Sequence, residues 1–185
     1  MAVGSTQYTR TARLFHWGMA LLVLAMIPAG LIMVQPDLDR SLQNSLFVFH
    51  KNVGALLIVL VLLRLIYRWL NPPAPLPDAM PGWQNLAAKA SHVGLYTLLV
   101  IVPVAGYTRV KAGGFPIETL DAWGVPSLVP RSDALAEVAK TVHYFGGLAI
   151  ACLIGLHIAA AAYHGIIRRD GVFSRMWPPF AGRRG

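Results

Sequence analysis

Val142–Ile167, VHYFGGLAIACLIGLHIAAAAYHGII, is the stretch that decides how this chain folds. It contains no Asp, Glu, Lys or Arg and is long enough, as a helix, to cross a hydrocarbon core about 30 Å thick. Three histidines interrupt it, and an ionisable side chain at membrane depth is costly enough to ask for a role. His143 and His157 are fourteen residues apart. On a helix they point within roughly 40° of each other and lie roughly 21 Å apart along the axis. One therefore sits near each face of the membrane. His164, seven residues further on, continues nearly the same face to headgroup depth.

Three more stretches share this character. Leu14–Val34 is uncharged, with Pro28 inside; Phe47–Leu70 carries Lys51, Arg64 and Arg68 near its ends; Val93–Thr108 holds Pro103 and extends back to about Lys89. Long basic side chains near a helix end can snorkel to the interface. With 56% hydrophobic and 13% charged residues and a mean hydropathy of +0.55, the chain is too apolar for an ordinary soluble domain. The expectation is an all-α, transmembrane four-helix bundle, with helices at about 12–34, 47–70, 89–110 and 135–168, forming a single membrane domain over residues 1–185. A cleaved secretory signal is the rival reading of the first run, since Arg10 and Arg13 precede it. Its length, and the absence of an A-x-A cleavage pattern, argue against that.

The net charge of +8 is a topology signal. With a cytoplasmic amino terminus, ten basic residues fall inside (Arg10, Arg13, Arg64, Arg68, Lys89 and the five arginines from Arg168 onward) against six outside. Six of the eight acids offset the outer set. Both termini are thus expected on the cytoplasmic side of a membrane that the chain crosses several times. The positive charge meets lipid headgroups and argues for no nucleic-acid partner. The lone Cys152 excludes an internal disulfide.

Between the helices, residues 35–46 read as a short outer loop and Asn71–Gly82 (NPPAPLPDAMPG) as an extended inner linker. Residues 111–140 read as a longer outer loop, with Ser132 as the N-cap of the last helix. The tail after Arg168 reads as basic and irregular. Trp17, Trp69, Trp83, Trp123 and Trp177 lie near the expected interfaces, like an aromatic belt.

His16 opens the first apolar run and His50 the second, entering from opposite sides, so their depths match His157 and His143. Two haems, each held by imidazoles from two helices, would use all four: His16 with His157 inside, His50 with His143 outside. Bis-histidine ligation leaves no open position on iron, which suits electron transfer more than oxygen binding. Zinc or copper would gather three or four ligands at one depth. With no Cys-x-x-Cys-His motif, the haem must be b-type. Gly18, Gly54, Gly146, Gly147 and Gly155 would let a flat macrocycle approach the backbone, or serve helix packing. Arg10, Arg13 and Lys51 are either propionate partners or interface anchors. His164 either binds a quinone or faces water. His92 competes with His16 for the inner site but ranks below it, because helix 3 would then serve only one haem.

The segments TARLFHWGMALLVL, FHKNVGALLIVLVLLRLIYR, SHVGLYTLLVIVPVAGY and VHYFGGLAIACLIGLHIAAAAYH resemble the bacterial cytochrome b561 family. That resemblance, over about residues 8–178, implies two haem b with axial ligands at His16, His50, His143 and His157. It further implies oxidation of superoxide at the periplasmic side, reduction of ubiquinone near the cytoplasmic side, and a quinone-side role for His164. The family's linker lysines near the quinone have no counterpart in Asn71–Gly82, where Arg68 or Lys89 would have to substitute.

The expected activity is therefore that of an oxidoreductase, a superoxide oxidase reducing quinone. Lys51, Arg109, Lys111, Arg131 and Lys140 are candidates for an outer field that attracts the anion. The alternative is a haem-b anchor subunit relaying electrons between a partner dehydrogenase or hydrogenase and the quinone pool. A transporter using histidines as a proton relay is the non-redox alternative.

Overall fold

Four helices carry the apolar runs: α1 (Arg10–Ile32), α2 (Arg40–Leu70), α3 (Gly82–Ala112) and α5 (Asp133–Ala162), with a short α4 (Glu118–Ala122) between the last two. The structure is a computed structural model that describes residues 7–73 and 81–178. Among these it is entirely helical, without strands. All four long helices are of membrane-spanning length and hydropathy.

Helix starts follow local chemistry. Thr9 caps α1 by accepting from the Ala12 amide, and Ser132 caps α5 by accepting from Leu135, as its position predicts. Asp39 caps α2 through the amides of Ser41 and Leu42. This cap corrects the expected loop over 35–46, since α2 starts seven residues earlier than the start expected at 47. Hydrophobicity marked only the apolar part of that helix. Likewise α3 starts at Gly82, immediately after Pro81. Most of the proline-rich linker, residues 74–80, lies outside the described residues.

In the bundle α1 packs along α2, α2 along α3, and α3 along α5, while α1 and α5 make little direct contact. One cluster of buried residues joins Met19, Val23 and Met26 of α1 to Leu57 and Val61 of α2, with Leu99, Val100 and Ile154 against it. Leu21, Leu31, Val59, Ile66, Leu156 and Ile158 point outward and are at least half exposed. Such side chains suit a hydrocarbon solvent. Trp69, Trp83 and Trp123 are also largely exposed, as an aromatic belt requires.

The tail is more ordered than expected. After α5 the chain forms a π-helical turn, Tyr163–Arg168, reverses through Arg169 and Gly171 at positive φ, and makes a 3-10 turn, Phe173–Arg175. It then docks on α1. Trp17 Nε1 donates to Met176 O at 2.9 Å, fully buried Arg13 donates to Pro178 O at 3.1 Å, and the Tyr8 amide donates to Arg175 O at 3.1 Å. Both ends of the described chain therefore meet at one end of the bundle, called here the terminal end; α4 lies at the opposite, loop end.

Replacing Asp39 with Ala removes acceptors for two amides and should cost about 1 kcal/mol. Thermal unfolding of the solubilised protein should report it as a lowered Tm, whereas an unchanged Tm would mean the cap contributes nothing.

Candidate functional site

At the loop end, His50 of α2 and His143 of α5 face each other, with ring centres 5.9 Å apart. His143 Nδ1 lies 2.9 Å from the Val102 carbonyl. A carbonyl can only accept, so Nδ1 carries the proton and Nε2 is left as the free lone pair. The Met26 carbonyl lies beside the His50 ring, but the buried His50 Nδ1 has no hydrogen-bond partner.

Two glycines fit these rings. A Cβ on Gly30 would stand 2.9 Å from His50 Cε1, and one on Gly106 would stand 3.0 Å from His143 Cε1. Neither is among the glycines singled out from sequence, because what they touch comes from other helices. Of those singled out, Gly54 and Gly147 line the cavity described below. Gly18 and Gly155 have open space where a Cβ would be, and Gly146 packs on Val102.

A cavity of about 920 Å³ opens around the His50–His143 pair, between all four long helices. Met19, Val23, Leu57, Leu99 and Ile150 make it mainly apolar, and Lys51, Arg109 and Lys140 stand on its wall. α4 folds over this end. Glu118 accepts from Lys51 and Asn52, Asn52 accepts from the Thr119 amide, and Lys51 also donates to Pro116 O.

These bonds change the role expected of the outer cations. Lys51 pairs with Glu118, Lys111 with Asp121, and Lys140 with Glu137. Burial would raise the Glu118 carboxyl, but the hydrogen bond from Lys51, aided by Asn52, holds it below the usual carboxylate range. The Lys111 hydrogen bond does the same for Asp121. Arg109 and Arg131 have no carboxylate partner among the described residues, and of the two only Arg109 lines the cavity.

At the terminal end, His157 of α5 stands between His16 of α1, at 6.2 Å, and His92 of α3, at 5.7 Å. All three are half-buried. Ring spacing alone does not choose between His16 and His92. Arg64 Nη2 is 3.2 Å from His16 Nδ1, and Arg64 Nε donates to the Tyr96 hydroxyl at 3.1 Å. Beside them is a small cavity of about 20 Å³, lined by Arg64, Arg68, Tyr67 and Tyr96. Arg64 is long enough to snorkel, but it points into the bundle.

His164 lies on the π-helical turn, its Nδ1 2.6 Å from Asp170 Oδ2. Asp170 also accepts from the Val172 amide, and Arg168 stands 3.9 Å away. Burial would raise the Asp170 carboxyl, but the His164 and Val172 hydrogen bonds and nearby positive charge hold it below its usual value. Of the two cations expected to replace linker lysines, Arg68 turns inward and Lys89 is exposed.

The arrangement defines a class: a membrane-spanning helical bundle with imidazoles meeting across its interior near both ends. A family model for prokaryotic cytochrome b561 matches residues 7–179, and the chain belongs to that family. It is 32% identical to cytochrome b561 homolog 2 of Escherichia coli (strain K12) over 163 residues, 88% of this chain and 86% of the relative. It is also 26% identical to the probable superoxide oxidase CybB of Yersinia pestis over 174 residues, 90% of this chain and 93% of the relative. The protein is thus a bacterial membrane cytochrome, a haem-b electron-transfer oxidoreductase.

The residues fit that cofactor. Two imidazole nitrogens about 2 Å from one metal place their ring centres ~6 Å apart, close to the separations at both ends. The large apolar cavity and the unpartnered His50 Nδ1 at the loop end add to the fit.

Gly30→Ala and Gly106→Ala should each destabilise the protein by about 1–3 kcal/mol, since an imidazole must shift to admit the methyl. Gly82→Ala, with nothing within 4 Å, should be neutral or stabilising by up to ~1 kcal/mol. Equal melting temperatures for all three would refute the packing role. The depressed Asp170 carboxyl predicts a pH effect on the tail. Its stabilising contribution is complete above the unfolded carboxylate value of about 4 and is lost as pH falls through the folded one. Hydrogen-exchange protection of the Val172 amide, corrected for intrinsic rate, should therefore drop in acid; protection independent of pH would count against this linkage.

Proposed function

We infer that the protein oxidises superoxide at the loop end and delivers the electrons across the membrane to ubiquinone at the terminal end. Two superoxide anions yield two O₂ and two electrons; one ubiquinone takes up both electrons and two protons to give the quinol. The observation that carries this reading is the meeting of histidine rings at each end of α5, His50 with His143 and His16 with His157. Haem b, two per chain, supplies the one-electron carrier that no side chain provides.

His50 and His143 hold one haem, and His16 and His157 the other. His143 is oriented for this by Val102, which keeps its proton on Nδ1. His16 is assigned ahead of His92 on the resemblance of its segment to the cytochrome b561 family, since ring spacing does not separate the two. The residues 14 apart on α5 put the two levels roughly 21 Å apart, a span that joins the two faces. The distribution of basic residues supports termini in the cytoplasm and a loop end in the periplasm, across the bacterial inner membrane.

At the loop end, Arg109 is the cavity cation that no carboxylate neutralises among the described residues, and it draws the anionic donor. At the terminal end, the Asp170 carboxylate accepts from His164 Nδ1–H, so a proton taken up from the inner side goes to Nε2, which then donates to a quinone carbonyl and passes that proton on. The relative named as a probable superoxide oxidase supports this donor.

A reduced-minus-oxidised spectrum with a haem:protein ratio should give two b haems per chain. One should be lost in His50→Ala or His143→Ala and the other in His16→Ala or His157→Ala, while His92→Ala keeps both. Stopped-flow mixing with superoxide should reduce the haem faster than spontaneous dismutation consumes the donor. Absence of that reduction would overturn the donor assignment, and loss of a haem in His92→Ala with retention in His16→Ala would reverse the ligand choice.

A further inference from the structure

We propose that Arg64 and Arg68 form an anion site inside the terminal end of the bundle and that it takes the carboxylates of the haem held there. This rests on the reading of His16 and His157 given above, and it adds residues that neither the sequence pattern nor the relatives' names assign.

The buried stripe of α2 passes through Leu57 and Val61. Steps of three and four residues continue it to Arg64 and Arg68, so the helix turns two guanidinium groups toward the interior. Both are half-buried, at 5.6 and 5.3 Å from the centre of the same Tyr96 ring. Arg64 also contacts the Tyr96 hydroxyl and His16. Guanidinium stays charged at any physiological pH, and two like charges over one ring repel. Yet no carboxylate among the described residues lies within ion-pair distance of either. At the loop end the lysines Lys51, Lys111 and Lys140 each have an acid. Inside a membrane bundle, uncompensated cations are costly, so the counter-ion comes from beyond the described residues.

The His16 contact indicates which anion. Arg64 only donates, so His16 Nδ1 accepts there, and the proton of the neutral ring sits on Nε2. Ligation through Nε2 requires that proton on Nδ1, where it faces a donor. Seating the cofactor therefore releases Arg64 from His16 and leaves a fork of N–H groups seeking an acceptor beside it. A carboxylate takes such a fork in bidentate fashion. A lipid phosphate shares this chemistry, but the stripe and the Tyr96 contacts turn both groups toward the bundle interior.

The test uses the holoprotein in nanodiscs, with an excess of a haem-scavenging apoprotein and the Soret band followed in time. Arg64→Met/Arg68→Met should release one of its two haems about tenfold faster or more, as befits lost charge-assisted hydrogen bonds. The haem dependent on His50 and His143 should leave at the wild-type rate, which also reports an intact fold. Arg64→Lys in place of the double variant should recover part of the retention. The effect should be the same in phosphatidylcholine alone and with phosphatidylglycerol added. Unchanged release would overturn the proposal, as would a difference seen only with the anionic lipid. A wild-type protein holding one haem, retained in His16→Ala, would instead bring down the underlying reading of the site.

Discussion

The rest of the structure depends on imidazole rings meeting across an interior that the helices themselves do not close. Hydrocarbon offers a polar ring no hydrogen bonds, so a histidine at membrane depth must turn inward. Once inward, His16 and His157 come together between α1 and α5, the two helices that scarcely touch. His50 and His143 bridge α2 and α5 in the same way. A soluble bundle would fill this space with leucine. Here Met19, Val23, Met26, Leu57 and Val61 form a buried cluster between the two histidine levels.

The two ends are built on different electrostatics. At the loop end, α4 brings Glu118 and Asp121 back to Lys51 and Lys111, so most local charge cancels and Arg109 is left on the cavity wall. At the terminal end, Arg64 and Arg68 face Tyr96 and His16 with no acid opposite them among the described residues. Net charge by segment hid this contrast, because it counts lysines and arginines alike wherever they point. Desolvated charge counts for more than exposed charge, and only orientation separates them.

The C-terminal tail links the terminal end to the start of the chain. Trp17 and Arg13 on α1 hold Met176 and Pro178, while Asp170 holds His164 on the π-helical turn. π-helical turns recur at functional sites, because the extra residue re-aims side chains from an otherwise regular helix. His164 thus gains a carboxylate partner from a tail whose composition alone suggested irregular chain. Arg13 and Lys51, which from sequence are either propionate partners or interface anchors, engage the tail and α4.

The sequence by itself determined the helices, because a membrane span must be an uninterrupted apolar run, and it determined which histidines share a depth, because helical rise is fixed at 1.5 Å per residue. Ser132 was legible as a cap for the same local reason. The start of α2 was not, since Asp39 extends the helix beyond its apolar part. Only the tertiary structure decided that Gly30 and Gly106 make room for rings on other helices, and that His92 stands as near His157 as His16 does. It alone turned Arg64 inward and brought Asp170 to His164. Those contacts join residues far apart in the chain or around a sharp reversal, and hydrophobic periodicity carries no information about which side chains will meet across a bundle.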